Sequence, residues 1–157
     1  MGLNRQLDMA QAAKRIELDL FTYSAIFPIA TFVGGATVTV LTPITADSDF
    51  ILDGINLVSW SAAGVLVPFP ADYDLSLRDT GSGRDLQDQP IAISNITGQG
   101  NLTYYLPEPK RFTGASNIGS TLTNNTAVAA RVYIAFIGRK CFYLQGFNRD
   151  RLSSMTY

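Results

Sequence analysis

Residues 72–79, DYDLSLRD, alternate without a fault: Tyr73, Leu75 and Leu77 share one phase, and Asp72, Asp74, Ser76 and Arg78 the other. Neighbouring side chains of an extended strand point to opposite faces. This spacing therefore fits a strand with one buried and one wetted face, and fits no helix. The same period recurs along the chain. In RIELDLF, Ile16, Leu18 and Leu20 fall in phase while Glu17 and Asp19 fall out of it. GATVTVL (35–41) is β-branched and bounded by Gly and Pro. SDFILDGINLVSW (48–60) carries Phe50 and Leu52 in one phase, then Ile55 and Leu57 in the opposite one. The slip falls at Asp53-Gly54, which predicts a β-bulge or a hairpin turn. Shorter strands are expected at PIAIS (90–94) and LTYYL (102–106). SNIGSTLTNN (116–125) leads through an Asn124-Asn125 turn into AVAARVYIAFIG (127–138). From Val132 to Ile137 that run is apolar in both phases, as a central strand covered on both faces would be.

Short strands punctuated by Gly and Pro predict an all-β domain over residues 19–144, an antiparallel β-sandwich or jelly roll. At 157 residues the chain is long enough for one domain with a proper core. The most membrane-like stretch, AIFPIATFVGGATVTVL (25–41), holds Pro28, Gly34, Gly35 and three Thr, and falls short of the ~20 apolar residues a spanning helix needs. It reads as two buried strands joined by a Gly-Gly turn. The first twenty residues are too polar for a signal peptide, and Gln6 stands where a myristoylation motif wants Ser or Thr. No membrane partner is expected.

The two ends read differently. Residues 1–18 place Leu3, Leu7, Ala10, Ala13 and Ile16 three or four apart, a helical stripe with only three large side chains. Such a helix is marginal alone, so this N-terminal arm is expected to gain structure by lying on something else. Residues 145–157, QGFNRDRLSSMTY, form a C-terminal tail without strand alternation beyond Phe147. Leu3, Leu7, Ile16, Phe147, Leu152 and Tyr157 are poor residues to leave in water. They are the candidate assembly contacts.

Composition narrows the chemistry. There is no His and one Cys, Cys141, so an internal disulfide, His-based metal sites and Ser-His or Cys-His nucleophile pairs are excluded. Net charge is −1, with no run of like charges, so no nucleic-acid partner is expected. Charged residues are 16% of the chain, against ~25% in ordinary soluble domains, and aromatics are 11%. That balance suits surfaces buried in an assembly.

One motif raises a catalytic question. Asp79-Thr80-Gly81 matches the triplet of aspartic proteases, in which two loops bring two carboxylates to share a proton, and AFIGRKC (135–141) resembles the apolar stretch behind it. Arg78 and the polar Ser82-Gly83-Arg84 flank the triplet, however, where a buried dimer seam would want apolar residues. A tight turn in which Asp79 accepts backbone hydrogen bonds and Gly supplies positive φ is the reading preferred. Asp47, Asp49 and Asp53 fail the spacing of a calcium loop, so no metal or other cofactor is expected. Asn95, Asn101 and Asn124 match glycosylation acceptors that matter only in a secreted eukaryotic chain. Trp60, Tyr104 and Tyr105 could stack on sugars, but such aromatics are commonly core or interface anchors. Cys141 reads as a buried small hydrophobe.

Taken in order, ITADSDFILDGI, the DTGSGR turn, LPEPKRF and the closing FIGRK resemble a family of small virion structural proteins of tailed bacteriophages, over roughly residues 45–143. The resemblance implies a sandwich or jelly-roll protein assembled on the particle. The expected role is a non-enzymatic head decoration or cement protein, with copies of itself and the major capsid protein as partners. It also implies a place in the virion, assembled in the host cytoplasm, and brings no catalytic residues. A neck, tail or baseplate subunit, a receptor- or carbohydrate-binding module and, more distantly, a dimeric aspartic protease using Asp79 are the alternatives.

Overall fold

Alternation of apolar and polar side chains builds ten strands in the computed structural model, which describes residues 16–99 and 102–143. They are β1 (Ile16–Phe27), β2 (Thr37–Pro43), β3 (Asp49–Ser61), β4 (Tyr73–Asp79), β5 (Arg84–Asp85), β6 (Ile91–Ala92), β7 (Gly98–Gln99), β8 (Tyr104–Phe112), β9 (Asn117–Asn124) and β10 (Ala130–Tyr143). Two five-stranded sheets result. The first runs β1-β10-β3-β7, with β8 also on β3; the second runs β2-β9-β4-β5, with β6 also on β4. All pairings are antiparallel except the two-residue β3–β7 contact, and neither sheet closes on itself. Long strands β1, β2, β3 and β4 alternate between the sheets, as do β8, β9 and β10.

The inner faces meet in one core. Phe50, Leu52, Ile55, Leu57, Val132, Ile134 and Phe136 from the first sheet join Tyr73, Leu75, Leu77, Ile118 and Leu122 from the second. Polar groups that enter are mostly paired, the wholly buried Ser120 hydroxyl of β9 being an exception. The Tyr73 hydroxyl lies 3.0 Å from that of Ser59, linking the two sheets. Asn124 is wholly buried at the end of β9: its amide donates to the Val128 carbonyl at 2.9 Å and its oxygen accepts from the Thr126 amide at 3.0 Å. The expected Asn124-Asn125 turn is thus held from inside by its first residue.

The phase slip at Asp53-Gly54 is a β-bulge. Across β10, Ile137 stands opposite Gly54 and Gly138 opposite Leu52, leaving Asp53 as the extra residue. Glycine is required there by close approach: a Cβ on Gly54 would lie 2.9 Å from the Tyr104 carbonyl oxygen, and one on Gly138 2.0 Å from that of Ile51. The freed Asp53 carboxylate accepts two bonds from Arg139, at 2.9 and 2.8 Å.

Several expectations shift. β1 begins at Ile16, inside the segment read as the arm, and its in-phase Leu18 and Leu20 point outward, 48% and 86% exposed. The inward set is Tyr23, Ala25 and Phe27. Of the two strands expected to be buried in 25–41, only the end of β1 is; β2 is an edge strand whose Val38 and Val40 are half-buried and whose Thr37, Thr39 and Leu41 are exposed. Gly35 does turn the chain between them, at φ +76°. The strand expected at 102–106 is moved on to Tyr104–Phe112, and the one at 90–94 shrinks to two residues before a 3₁₀ turn. β10 is central in its sheet, but only one face meets the core. Tyr133, Ala135 and Ile137 on the other face are half-buried by neighbouring strands, with no layer over them among the described residues.

Candidate assembly face

The outward faces of the two sheets differ in chemistry. On the second sheet, β2, β9 and β4 present Thr37, Thr39, Thr121, Thr123, Asp74, Ser76 and Arg78, with Leu41 as the exposed apolar residue among them. Threonine hydroxyls pair across the strands, Thr37 with Thr123 at 3.0 Å and Thr39 with Thr121 at 2.8 Å. Such a face satisfies its own polar groups and is at ease in water.

The first sheet presents the reverse. Its rows run across β1, β10 and β3 as Ile26–Tyr133–Val58, then Ser24–Ala135–Asn56, then Thr22–Ile137–Gly54. The middle row is short and the Ile26–Tyr133–Val58 row beside it is tall, so a furrow of about 320 Å3 lies along Ser24, Ala135 and Asn56, walled on one side by Val58 and Tyr133. Leu18 and Leu20 extend the apolar surface along β1, and half-buried Trp60 extends it along β3. Its charges are engaged: Arg131 lies 5.5 Å from the Tyr133 ring centroid, and Arg139, opposite Leu20, is held by Asp53, which also keeps the guanidinium pKa above its ordinary value. Wholly buried Asp49 accepts from Arg111 Nε at 2.8 Å and from the Gly114 amide at 2.8 Å, fastening the β8–β9 connection to β3.

Ile16 stands opposite Tyr143 on adjacent strands, so the chain enters and leaves the described body side by side at one end of this sheet. Nearby, nearly buried Lys140 places its ammonium 4.2 Å from the Phe21 ring centroid and 3.8 Å from Asp47 Oδ1. The Thr45 hydrogen bond, with smaller contributions from Ser48 and Lys140, holds the exposed Asp47 carboxyl below its ordinary pKa. Of the six candidate assembly contacts, Leu3, Leu7, Phe147, Leu152 and Tyr157 lie outside the described residues, and Ile16 opens β1.

Asp79 ends β4 in the inward phase and is almost fully buried. Its Oδ1 accepts from the Gly81 amide at 3.0 Å and the Ser82 amide at 3.4 Å, and its Oδ2 from the Ser82 hydroxyl at 2.7 Å. Every one of these donors belongs to its own turn, as in an Asx turn. Positive φ falls at Gly83 rather than Gly81, whose lack of a side chain instead clears Ser116. The three carboxylates considered for calcium do not converge: Asp49 faces Arg111, Asp53 faces Arg139, and Asp47 is 57% exposed near Lys140. Among the described residues no three His, Cys, Asp or Glu side chains could hold a metal. Asn124 is buried and engaged, so it is no sugar acceptor; Asn95 is exposed, and Asn101 lies outside the described residues. Cys141 is buried as expected.

No protein-family model matches the chain, and no curated protein matches it.

Proposed function

We propose that the chain is a non-enzymatic structural protein of a tailed-bacteriophage virion, most specifically a head decoration or cement protein. One observation carries this reading: an apolar, furrowed face on the first sheet beside a self-satisfied polar face on the second. A protein that works alone has no use for such asymmetry, whereas a subunit of an assembly does. The strand order β1-β10-β3-β8 over β2-β9-β4-β5 supports reading the sheets as a jelly roll, an architecture that viral capsid and lectin domains share. The analogy is one of fold, and function rests on the face.

In this reading the partners are copies of the chain and the major capsid protein, and the protein resides on the particle after assembly in the host cytoplasm. The arm and tail add contacts through Leu3, Leu7, Ile16, Phe147, Leu152 and Tyr157. A cement subunit stabilises a shell by burying surface across joints between capsomers; each joint need contribute only a few kcal/mol, because many copies act together.

The test is fractionation of phage particles by gradient sedimentation, with the chain detected by mass spectrometry. Stoichiometric presence in the head fraction is expected. Presence only among free proteins overturns the reading, and presence only in detached tails moves the protein to the neck, tail or baseplate. Tyr105, 68% exposed beside half-buried Tyr104, supports a second reading as a carbohydrate-binding module. Saturable binding on a glycan array, lost in Tyr105→Ala, would favour it.

A further inference from the structure

We infer that the outer edge of β1 is the seam of a two-fold dimer, in which β1 pairs antiparallel with β1 of a second copy. The inference rests on the assembly reading and names where two copies meet.

Edge strands present unpaired amides and carbonyls, and proteins protect them with prolines, bulges, lysines or short length. The other edges of this fold are protected in these ways. β8 contains Pro107 and Pro109, β5 and β6 have two residues each, and seven-residue β2 ends on Pro43. β1 differs: it has twelve residues, contains neither Pro nor Lys, and keeps register with β10 through twelve consecutive pairs without a bulge. Among the described residues no strand pairs with its other side.

The direction of its peptide groups follows from one contact. Thr42 Oγ1 of β2 lies 3.5 Å from the Ser24 carbonyl oxygen, so the Ser24 peptide groups face away from β10. With a period of two, those of Leu18, Leu20, Thr22 and Ile26 also face the open edge. An antiparallel mate centred on Thr22 sets Leu18 against Ile26 and Leu20 against Ser24 on the outer face, with Phe21 against Tyr23 on the inner. Exposed Leu18 and Ile26 thereby meet across the seam, Leu20 gains a neighbour in Ser24, and Asp19 meets Ala25 rather than another acid. The patch is its own complement, as a two-fold interface requires. The furrowed faces of both copies then form one continuous surface.

The experiment is sedimentation equilibrium of the full chain and two full-length variants, with amide hydrogen exchange along β1. Thr22→Pro removes an amide that faces the open edge and leaves those bonded to β10, a placement edge strands tolerate. Leu20→Lys alters a side chain already exposed. A wild-type dimer is expected, with dissociation constants raised by about tenfold or more in both variants while far-UV circular dichroism is unchanged. The amides of residues 18, 20, 22, 24 and 26 should lose protection on dilution. A wild-type monomer at high concentration, or a dimer unaffected by both changes, overturns the inference. Protection of those amides that is independent of dilution also overturns it, since the edge is then covered by the chain's own end. Gradient sedimentation with particles is a separate readout. A monomer found on heads sinks the dimer and leaves the assembly reading standing; a dimer absent from particles does the opposite.

Discussion

Asp79 shows what a triplet motif is worth without its surroundings. Its three hydrogen bonds come from the turn it starts, so Asp79→Asn keeps an acceptor for the backbone amides and should cost about 1 kcal/mol in urea unfolding. Purified protein that cleaves peptides in a pepstatin-sensitive way, with the Asn variant inert, would contradict this account. Arg78 and the polar Ser82 were enough to read that turn, because they are local. Asp49 with Arg111 and Asp53 with Arg139 were not legible, since their partners lie 62 and 86 positions away and only the strand order brings them together. Asp47 gives a pH expectation. Its folded pKa lies below the unfolded value, so its contribution is present above the ordinary carboxylate range and is lost as pH falls through the folded pKa. Asp47→Asn should therefore flatten the acid limb of a stability–pH curve slightly, the group being exposed; an unchanged limb would show that Asp47 contributes nothing.

At the scale of elements, period-two patterning located β3, β4 and β10 well, because one face of each meets a core. It found β1 as a strand too, but there the in-phase Leu18 and Leu20 point outward. An apolar phase marks a face to be covered, and periodicity does not say by what. The bulge was legible as a slip, and its Gly138 makes a graded test with Gly35 of the β1–β2 turn. Gly138→Ala would place a methyl group against the Ile51 carbonyl and should destabilise by about 3 kcal/mol, whereas Gly35→Ala meets open space and should cost about 1 kcal/mol through positive φ alone. Equal melting-temperature changes for the two would refute the close-approach explanation.

For the whole molecule, an all-β fold was readable from alternation and punctuation, but pairing order was not, since no local signal says that β10 lies between β1 and β3. The assembly face was invisible for the same reason: Ser24, Ala135 and Asn56 form a furrow only after three distant strands are set side by side. Deleting residues 1–15 should leave a soluble core with an unchanged β-type circular dichroism spectrum, because the described residues by themselves form both sheets and one joint core. Under the arm hypothesis that core no longer joins particles. Decoration with unchanged affinity and stoichiometry would show that the arm is dispensable.

Ile16 and Tyr143 stand opposite each other at one end of a single ladder, which gives the subunit a mechanical character. Pulled in opposite directions, the two ends would open the β1–β10 ladder pair by pair, like a zip, at low force. Pulled together from a common anchor, both strands are drawn the same way, so no β1–β10 pair is peeled and the load passes on to the β10–β3 ladder as shear. A subunit moored through both ends to one neighbour would thus hold fast, while one moored to two neighbours moving apart would yield.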